Sequence, residues 1–191
     1  MLRAWRQQVL ATLLALLAAS AAAAQQTVDP ELRERLAAAA ADASSFADRF
    51  DATVWLTDMS LRLERQVPDP EERVEILKLA HAEASKADLP PELVLAVIDV
   101  ESNFDRFALS HAGARGLMQV MPFWLDELGR PDDTLFRIDT NLRYGCTILR
   151  FYMDREKDDL IKALARYNGS VGKRWYGDRV IDKLRLKWFQ Q

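Results

Sequence analysis

The stretch LPPELVLAVIDVES, residues 89–102, decides the fold of this chain. Pro90 and Pro91 suit the start of a helix, where the missing amide hydrogen costs nothing. The residues that follow are apolar on nearly every side of a helix, which predicts a helix buried at the centre of the protein. Glu101 lies close to the C-terminal end of that helix.

The segments on either side of this helix are also predicted to be helical. Apolar residues recur at three- and four-residue steps in four segments, residues 32–54, 74–84, 142–152 and 180–188. Two shorter helices are expected, one opened by Pro122 and stopped by Gly129, the other over DLIKALARYNG and stopped by Gly169. Because no long alternating pattern of a strand is present, we predict a mainly α fold.

The first 24 residues have the layout of a secretory signal peptide. MLRAWRQQ carries Arg3 and Arg6, an uninterrupted apolar run follows, and SAAAAQQ suits a cleavage site, with cleavage expected after Ala24. The apolar run is shorter than the ~20 residues of a membrane-spanning helix, which disfavours the alternative of an N-terminal anchor. The pattern therefore predicts an exported protein without a stable membrane anchor after cleavage.

The segment VPDPEER is expected to separate two parts of the mature chain, because Pro68 and Pro70 interrupt the helical pattern there. Residues 25–70 would form an N-terminal helical arm, and residues 71–191 the main domain. The apolar stripe of the arm predicts that it buries one face. Whether that face packs on the main domain, limits access to a cleft or docks on a protein partner stays open.

Charge and cysteine content exclude several functional classes. The net charge is −3, and loss of Arg3 and Arg6 with the signal peptide makes it about −5. An acidic chain lacks the basic surface of a nucleic-acid-binding protein. The single cysteine, Cys146, cannot form an internal disulfide and is expected to be a small buried apolar residue. His81 is expected to be a packed histidine and His111 a loop residue, and we predict no metal site and no cofactor.

Glu101 is the residue whose surroundings point to chemistry. Its helix offers little polar face, so partial burial would disfavour the ionised carboxylate and raise the pKa of Glu101. A general acid needs that property in order to hold a proton near neutral pH. The alternative is a solvated surface charge. No second carboxylate is a convincing partner, since Asp99 lies on another side of the helix and Asp105 follows the helix end favoured by Ser102-Asn103.

The residues after Glu101 carry a family resemblance. The ordered set that carries it comprises Glu101-Ser102, Ser110, Gly113-Ala114, Gly116-Leu117-Met118-Gln119, Met121-Pro122, Asn141, Gly145 and Ala165-Arg166-Tyr167-Asn168-Gly169. This series, over roughly residues 76–180, resembles the soluble-type (SLT-domain, family 1) peptidoglycan lytic transglycosylases, whose fold is lysozyme-like. Two loop positions depart from the family pattern, where Asp105-Arg106 replaces Asn-Pro and Gly169 comes one place early.

The resemblance implies a periplasmic enzyme that cuts the β-1,4 bond between N-acetylmuramic acid and N-acetylglucosamine in peptidoglycan strands. Glu101 would protonate the glycosidic oxygen and then remove the proton of the 6-hydroxyl, so that 1,6-anhydro-N-acetylmuramic acid forms without water. A hydrolytic lysozyme similar to the goose type, and a non-catalytic wall-binding or secretion-scaffold protein, remain the alternatives.

Six substrate-binding positions are implied by the same resemblance: Ser110, Met118, Gln119, Met121, Tyr167 and Asn168. Tyr167 would hold and polarise Glu101, with Asn168 beside it, and the two methionines would line the cleft. The alternatives are plain packing roles for Met118 and Met121 and a core position for Tyr167.

Overall fold

The computed structural model describes residues 44–127 and 133–189. The predicted signal peptide, residues 1–24, the arm before residue 44 and the stop at Gly129 lie outside the described residues. The described residues form α1 (Arg49–Leu63), α2 (Pro70–Lys86), α3 (Pro91–Glu101), α4 (Phe123–Glu127), α5 (Ile138–Arg155), α6 (Leu160–Tyr167), α7 (Trp175–Lys183) and a π-helical turn (Leu184–Trp188). In these two ranges the only β-type pairing is a pair of isolated bridges in one loop. The mainly α prediction is confirmed.

Helix α3 lies at the centre of the packed helices, as its composition predicts. Residues 93–99 are all buried, and α3 contacts α2, α7 and the π-helical turn. Asp69 caps α2 by accepting from the backbone N–H of Glu71 at 2.9 Å, and Pro90 precedes α3. Glu101 is the last residue of α3, so the position of its carboxylate is set by a helix that is packed on all sides.

The apolar stripe over residues 32–54 does not continue as one helix into α1. Residues 44–48 form turns, and Asp48 caps a new helix by accepting from the backbone N–H groups of Phe50 and Asp51. Serine and aspartate favour such caps over helix interiors, which explains the break. Phe50 and Val54 are exposed, and α1 instead buries Trp55, Leu56, Met59 and Leu63. The prediction of one continuous stripe was wrong in this part.

Helix α1, which lies within the described part of the arm, packs on the main domain. The buried Arg73 of α2 donates to Ser60 Oγ at 3.0 Å and to the carbonyl oxygen of Val67 at 2.8 Å. Trp55 Nε1 donates to Glu92 Oε1, in the first turn of α3, at 2.7 Å. Of the three roles considered for the arm, α1 therefore has the first, which is packing on the main domain. The domain boundary near residue 70 stays a prediction.

The last predicted helix, over residues 180–188, consists of an α-helical part and a π-helical part. Its regular part ends at Lys183, and the π-helical turn follows. Asp99, whose side chain is fully buried, accepts from Lys183 Nζ at 2.6 Å, Lys187 Nζ at 3.2 Å and Trp188 Nε1 at 3.1 Å. The C-terminal segment is thereby fixed to the last turn of α3. None of the helices in the described ranges is long and apolar enough to cross a membrane.

Candidate active site

A cleft of about 510 Å³ opens beside the C-terminal end of α3. Its walls come from the end of α3, from the loop that follows and from α7, which contributes Arg179 and Lys183. Three of the residues proposed for the site from the sequence line this one cleft: Glu101, Ser110 and Gln119. Residues far apart in the chain are therefore brought to the same solvent-accessible space.

Glu101 is half-buried and is held by hydrogen bonds. The hydroxyl of Tyr176, itself buried, donates to Glu101 Oε1 at 2.5 Å. Burial raises the pKa of Glu101 above its ordinary value, although the hydrogen bonds from Tyr176 and Asn168 and the positive charge of Arg179 lower it. Because burial outweighs the other contributions, the carboxyl group keeps its proton to higher pH than an exposed glutamate does.

The tyrosine that contacts Glu101 differs from the one expected from the sequence. The hydroxyl of Tyr167 donates to the carbonyl oxygen of Met118 at 2.7 Å, so Tyr167 ties α6 to the loop. The donor to Glu101 is Tyr176 on α7. The assignment of the holding role to Tyr167 is therefore corrected. Extending the apolar stripe of the last helix back from Val180 by one turn would have placed Tyr176 on its buried face.

The loop over residues 108–120 presents Ser110 and Gln119 to the cleft. Ser110 closes a small turn, because its Oγ accepts from the backbone N–H of Ala114 at 3.0 Å. Gln119 has a positive φ of 49°, and its Nε2 donates to the carbonyl oxygens of Ala108 at 3.1 Å and Gly116 at 3.0 Å. The amide nitrogen of Gln119 thus braces the loop, and its amide oxygen is the atom with which it would meet a ligand.

Asn141 on α5 holds the same loop from behind. Its Oδ1 accepts from the backbone N–H of Met118 at 2.7 Å, and its Nδ2 donates to the carbonyl oxygens of Arg115 and Leu135, each at 2.8 Å. Gly116 has φ +74°, and a Cβ atom there would lie 2.3 Å from Asn141 Nδ2. The close approach explains why glycine and asparagine are needed together at these two positions.

Met118 has the packing role that the sequence left as an alternative. Its side chain is fully buried and lies against Gly145, where a Cβ atom would come within 2.3 Å of the Met118 sulfur. The prediction that Met118 lines the cleft is corrected, because no part of the side chain is accessible to a ligand. Met121 is half-buried and Asn168 is exposed.

Neither aspartate near Glu101 has a carboxylate free to act on a ligand beside it. Asp99 also borders the cleft, but it accepts from Lys183 and Lys187. Although burial raises the pKa of Asp99, these two lysines lower it below its ordinary value, and the group stays ionised and paired. Asp105 accepts from the backbone N–H of Phe107 at 2.8 Å and so caps a turn.

The remaining polar candidates have structural surroundings. His81 stacks on Phe46 with ring centroids 3.5 Å apart, and it hydrogen-bonds Ser45 Oγ at 2.9 Å. Cys146 is buried and free, which confirms its predicted packing role. Across residues 44–127 and 133–189, no group of three or more histidine, cysteine, aspartate and glutamate side chains is arranged to hold a metal ion.

A family model described as the transglycosylase SLT domain matches residues 78–179, more than half of the chain. The chain belongs to this family. The matched SLT domain begins in α2, ends in α7 and contains Glu101, the loop, Asn141 and Tyr176. The resemblance drawn from the ordered motifs is confirmed.

Two curated relatives and one solved structure are similar to parts of the chain. Over 87 residues, 42% of this chain and 19% of the relative, the chain is 38% identical to membrane-bound lytic murein transglycosylase F of Desulfosudis oleivorans. Over 111 residues, 55% of this chain and 41% of the relative, it is 32% identical to a transglycosylase of Enterobacteria phage PRD1. The X-ray structure of an inactive mutant of lytic transglycosylase Slt from Pseudomonas aeruginosa shares 22% identity at a TM-score of 0.47, covering 84% of this chain and 35% of that one. The chain thus spans less than half the length of these curated relatives.

Proposed function

We propose that this chain is a peptidoglycan lytic transglycosylase of the bacterial cell envelope. It would cleave the β-1,4 bond between N-acetylmuramic acid and N-acetylglucosamine without water, and it would leave a 1,6-anhydro end. Membership of the SLT family and the names of the relatives, murein transglycosylases among them, support the substrate class. The N-terminal pattern of a signal peptide supports the periplasm as the location.

The observation that carries the proposal is the single unpaired carboxyl group in the cleft. Glycosidases that use two carboxylates hold them about 5–10 Å apart, with one protonated and the other free to act. Among the described residues lining this cleft, the acidic side chains are Glu101 and Asp99, and Asp99 is held by Lys183 and Lys187. A mechanism that uses one carboxyl group twice fits this arrangement.

In the first step Glu101 acts as the acid. Tyr176 donates to Oε1, so the transferable proton is on Oε2. Burial raises the pKa of Glu101, which favours the protonated form that a general acid needs. Its transfer to the glycosidic oxygen breaks the bond to the anomeric carbon, and the substrate's own acetamido oxygen supports the positive charge that develops there.

In the second step the same group acts as the base. Once Glu101 is ionised, the hydrogen bonds from Tyr176 and Asn168 and the charge of Arg179 stabilise the carboxylate. The carboxylate removes the proton of the sugar's 6-hydroxyl, whose oxygen closes the 1,6-anhydro ring on the anomeric carbon. Glu101 ends the cycle protonated, and no cofactor takes part.

The other cleft residues are proposed to position the sugar. Ser110 and Gln119 line the cleft with Glu101 and would hydrogen-bond the acetamido group and the glycan. Asn168 and Met121 would flank the same strand. Tyr167 would act indirectly, since its hydroxyl fixes the backbone of Met118 next to Gln119.

Product analysis tests the proposal against a hydrolytic lysozyme. Purified peptidoglycan is digested with the wild-type chain and with Glu101→Gln, and the released fragments are identified by mass spectrometry. We expect 1,6-anhydro ends from the wild type and no fragments from Glu101→Gln. Reducing ends from the wild type would identify a lysozyme, and full activity of Glu101→Gln would remove Glu101 from the mechanism.

A further inference from the structure

Asn103, two residues after Glu101, lines the cleft and has an exposed side chain. Its Oδ1 accepts a hydrogen bond from Gln66 Nε2 at 2.7 Å, whereas its Nδ2 makes no hydrogen bond with any of the described residues. Gln66 comes shortly after α1 and is not among the described residues that line the cleft. The amide of Asn103 is therefore held on one side and free on the other.

The backbone at Asn103 has an unusual conformation that its neighbour holds in place. Asn103 and Phe104 have positive φ values of 52° and 66°, a region that asparagine tolerates and bulky residues rarely adopt. Phe104 is buried, with its ring centroid 5.3 Å from that of Trp188, and Trp188 Nε1 donates to Asp99 Oδ2 at 3.1 Å. Such a conformation persists only where the surrounding packing enforces it. The packing of Phe104 thus presents Asn103 to the cleft from a fixed position.

Lys187, in the π-helical turn, decides which end of the Gln66 amide faces Asn103. Lys187 Nζ donates to Gln66 Oε1 and to Asp99 Oδ2, the second at 3.2 Å. Because an ammonium group has only donors, the amide atom that it contacts must be the oxygen. Gln66 Nε2 then points to Asn103 and requires the oxygen of Asn103 as its acceptor. The Nδ2 of Asn103 is the atom that remains for a ligand.

We call the four side chains of Asp99, Lys187, Gln66 and Asn103 the amide relay. Its direction is set by charge, because the buried carboxylate of Asp99 holds the ammonium group of Lys187. Gln66 precedes and Lys187 follows the SLT domain matched over residues 78–179. The end of the arm and the C-terminal turn therefore orient a side chain of the cleft from outside the matched domain.

We propose that Asn103 is a substrate-binding residue whose Nδ2 donates to an acceptor oxygen of the bound glycan strand, and that Gln66 is the positioning residue that orients it. This inference rests on the proposed function, in which the cleft holds a glycan strand. Sugars offer hydroxyl and acetamido carbonyl oxygens as acceptors. A donor that is already oriented binds them without first paying the cost of ordering the amide. The amide relay thus gives the arm a role in substrate binding as well as in packing.

Two substitutions of Gln66 test the direction of the relay. Gln66→Glu has the same shape and still accepts from Lys187, but its second oxygen also only accepts, so Asn103 has to turn its Nδ2 toward residue 66 and its oxygen toward the ligand. Gln66→Ala removes both hydrogen bonds and leaves Asn103 free to turn either way. We expect the affinity for soluble, uncrosslinked peptidoglycan strands to fall about tenfold in Gln66→Glu and only about two- to threefold in Gln66→Ala.

Thermal stability should change in the opposite order. Gln66→Glu keeps the contact with Lys187, so its melting temperature should stay close to that of the parent chain, whereas Gln66→Ala should melt lower. A purely structural role for Gln66 would make the alanine substitution the more harmful one for affinity as well. The two orders together therefore separate orientation of Asn103 from support of the fold.

Affinity is measured by isothermal titration calorimetry in the full-length Glu101→Gln background, so that neither cleavage nor ionisation of Glu101 contributes. Arg65→Gln is the matched control for charge, because Arg65 is exposed and its loss changes the net charge by the same amount; it should bind as the parent chain does. Asn103→Gly is the control for the relay, since glycine keeps the positive φ and removes the amide. In the Asn103→Gly background, Gln66→Glu should cost no further affinity.

Three results would overturn the inference: a loss in Gln66→Ala that equals or exceeds that in Gln66→Glu, a tenfold loss that persists beside Asn103→Gly, or a similar loss in Arg65→Gln. With Glu101 intact, kcat/KM should follow the order of the affinities, through KM and not kcat. If the strands bind and the wild type does not cleave them, the proposed function fails, and the affinities still decide the role of Gln66. A parent chain that binds no strand would overturn the inference as well.

Discussion

Tyr176→Phe is the substitution that most sharply separates the observed site from the one expected from the sequence. It removes the hydroxyl that donates to Glu101 Oε1 at 2.5 Å and leaves the buried ring in place. Tyr167→Phe is the matched control, because it also removes one hydroxyl, but that hydroxyl donates to the carbonyl oxygen of Met118 at 2.7 Å. The first substitution acts on the ionisation of Glu101, and the second on the loop.

The size of the effect follows from the difference between a charged and a neutral acceptor. A hydrogen bond to a charged group contributes about 1.5–3 kcal/mol, and one to a neutral group about 0.5–1.5 kcal/mol. The bond from Tyr176 therefore favours the carboxylate over the carboxylic acid by roughly 1–1.5 kcal/mol. Since about 1.4 kcal/mol corresponds to one pH unit, its loss should move the titration of Glu101 to higher pH by about one unit.

The assay is the pH dependence of kcat/KM for release of soluble fragments from peptidoglycan. The free enzyme loses activity as the pH rises through the pKa of Glu101, because the acid form is consumed. In Tyr176→Phe this alkaline limb should move to higher pH, whereas in Tyr167→Phe it should stay in place with a lower plateau. A displaced limb in Tyr167→Phe and an unmoved one in Tyr176→Phe would show that Tyr176 is not the residue that holds Glu101.

Three further substitutions test the packing that positions the site, each by thermal or urea unfolding. Gly145→Ala places a Cβ 2.3 Å from the Met118 sulfur and should lower the free energy of unfolding by about 1–3 kcal/mol. Because Met118→Ala removes the clashing side chain, the double variant should lose less stability than the sum of the two single losses. A loss equal to that sum would contradict the contact. Asp99→Asn should cost about 2–3 kcal/mol at pH 7, below the usual cost for a broken buried pair because the lysines are partly exposed. That difference should shrink as the pH falls through the lowered pKa of Asp99, and a constant difference down to acidic pH would contradict the ion pairs. Burial lowers the pKa of His81 from 6.5 to about 4, so the folded state excludes the charged ring and stability should fall as the pH drops from 6.5 toward 4. The full shift would correspond to about 3.4 kcal/mol, and because the ring is only half-buried we expect His81→Gln to remove roughly 2 kcal/mol of that loss. An unchanged pH profile would show that His81 is not its source.

The sequence predicted the helices and the position of Glu101 because both depend on local patterns. The buried helix needs only a run of apolar residues after Pro90 and Pro91, and its end is marked by Ser102-Asn103. The glycines and asparagine of the family motifs also have local geometric reasons. Gly116 adopts a positive φ and lies against Asn141, and Gly145 leaves room for Met118.

Contacts between distant segments could not be predicted in the same way. Tyr167 is half-buried and Tyr176 is buried, and only the packing of α7 on α3 decides which of the two hydroxyls reaches Glu101. The ion pair of Asp99 with Lys187 depends on a π-helical turn that no spacing rule indicates. Burial of Met118 likewise follows from the packing of its side chain against Gly145 of α5.

The most direct test of the central claim, that one carboxyl group serves as acid and then as base, is digestion of peptidoglycan in oxygen-18-labelled water. In the proposed mechanism the sugar's own 6-hydroxyl attacks the anomeric carbon, so the new 1,6-anhydro ends should carry no label in mass spectra. Labelled reducing ends would mean that water is the nucleophile. In that case Glu101 would act as an acid beside some other base, and the one-carboxyl mechanism would be contradicted.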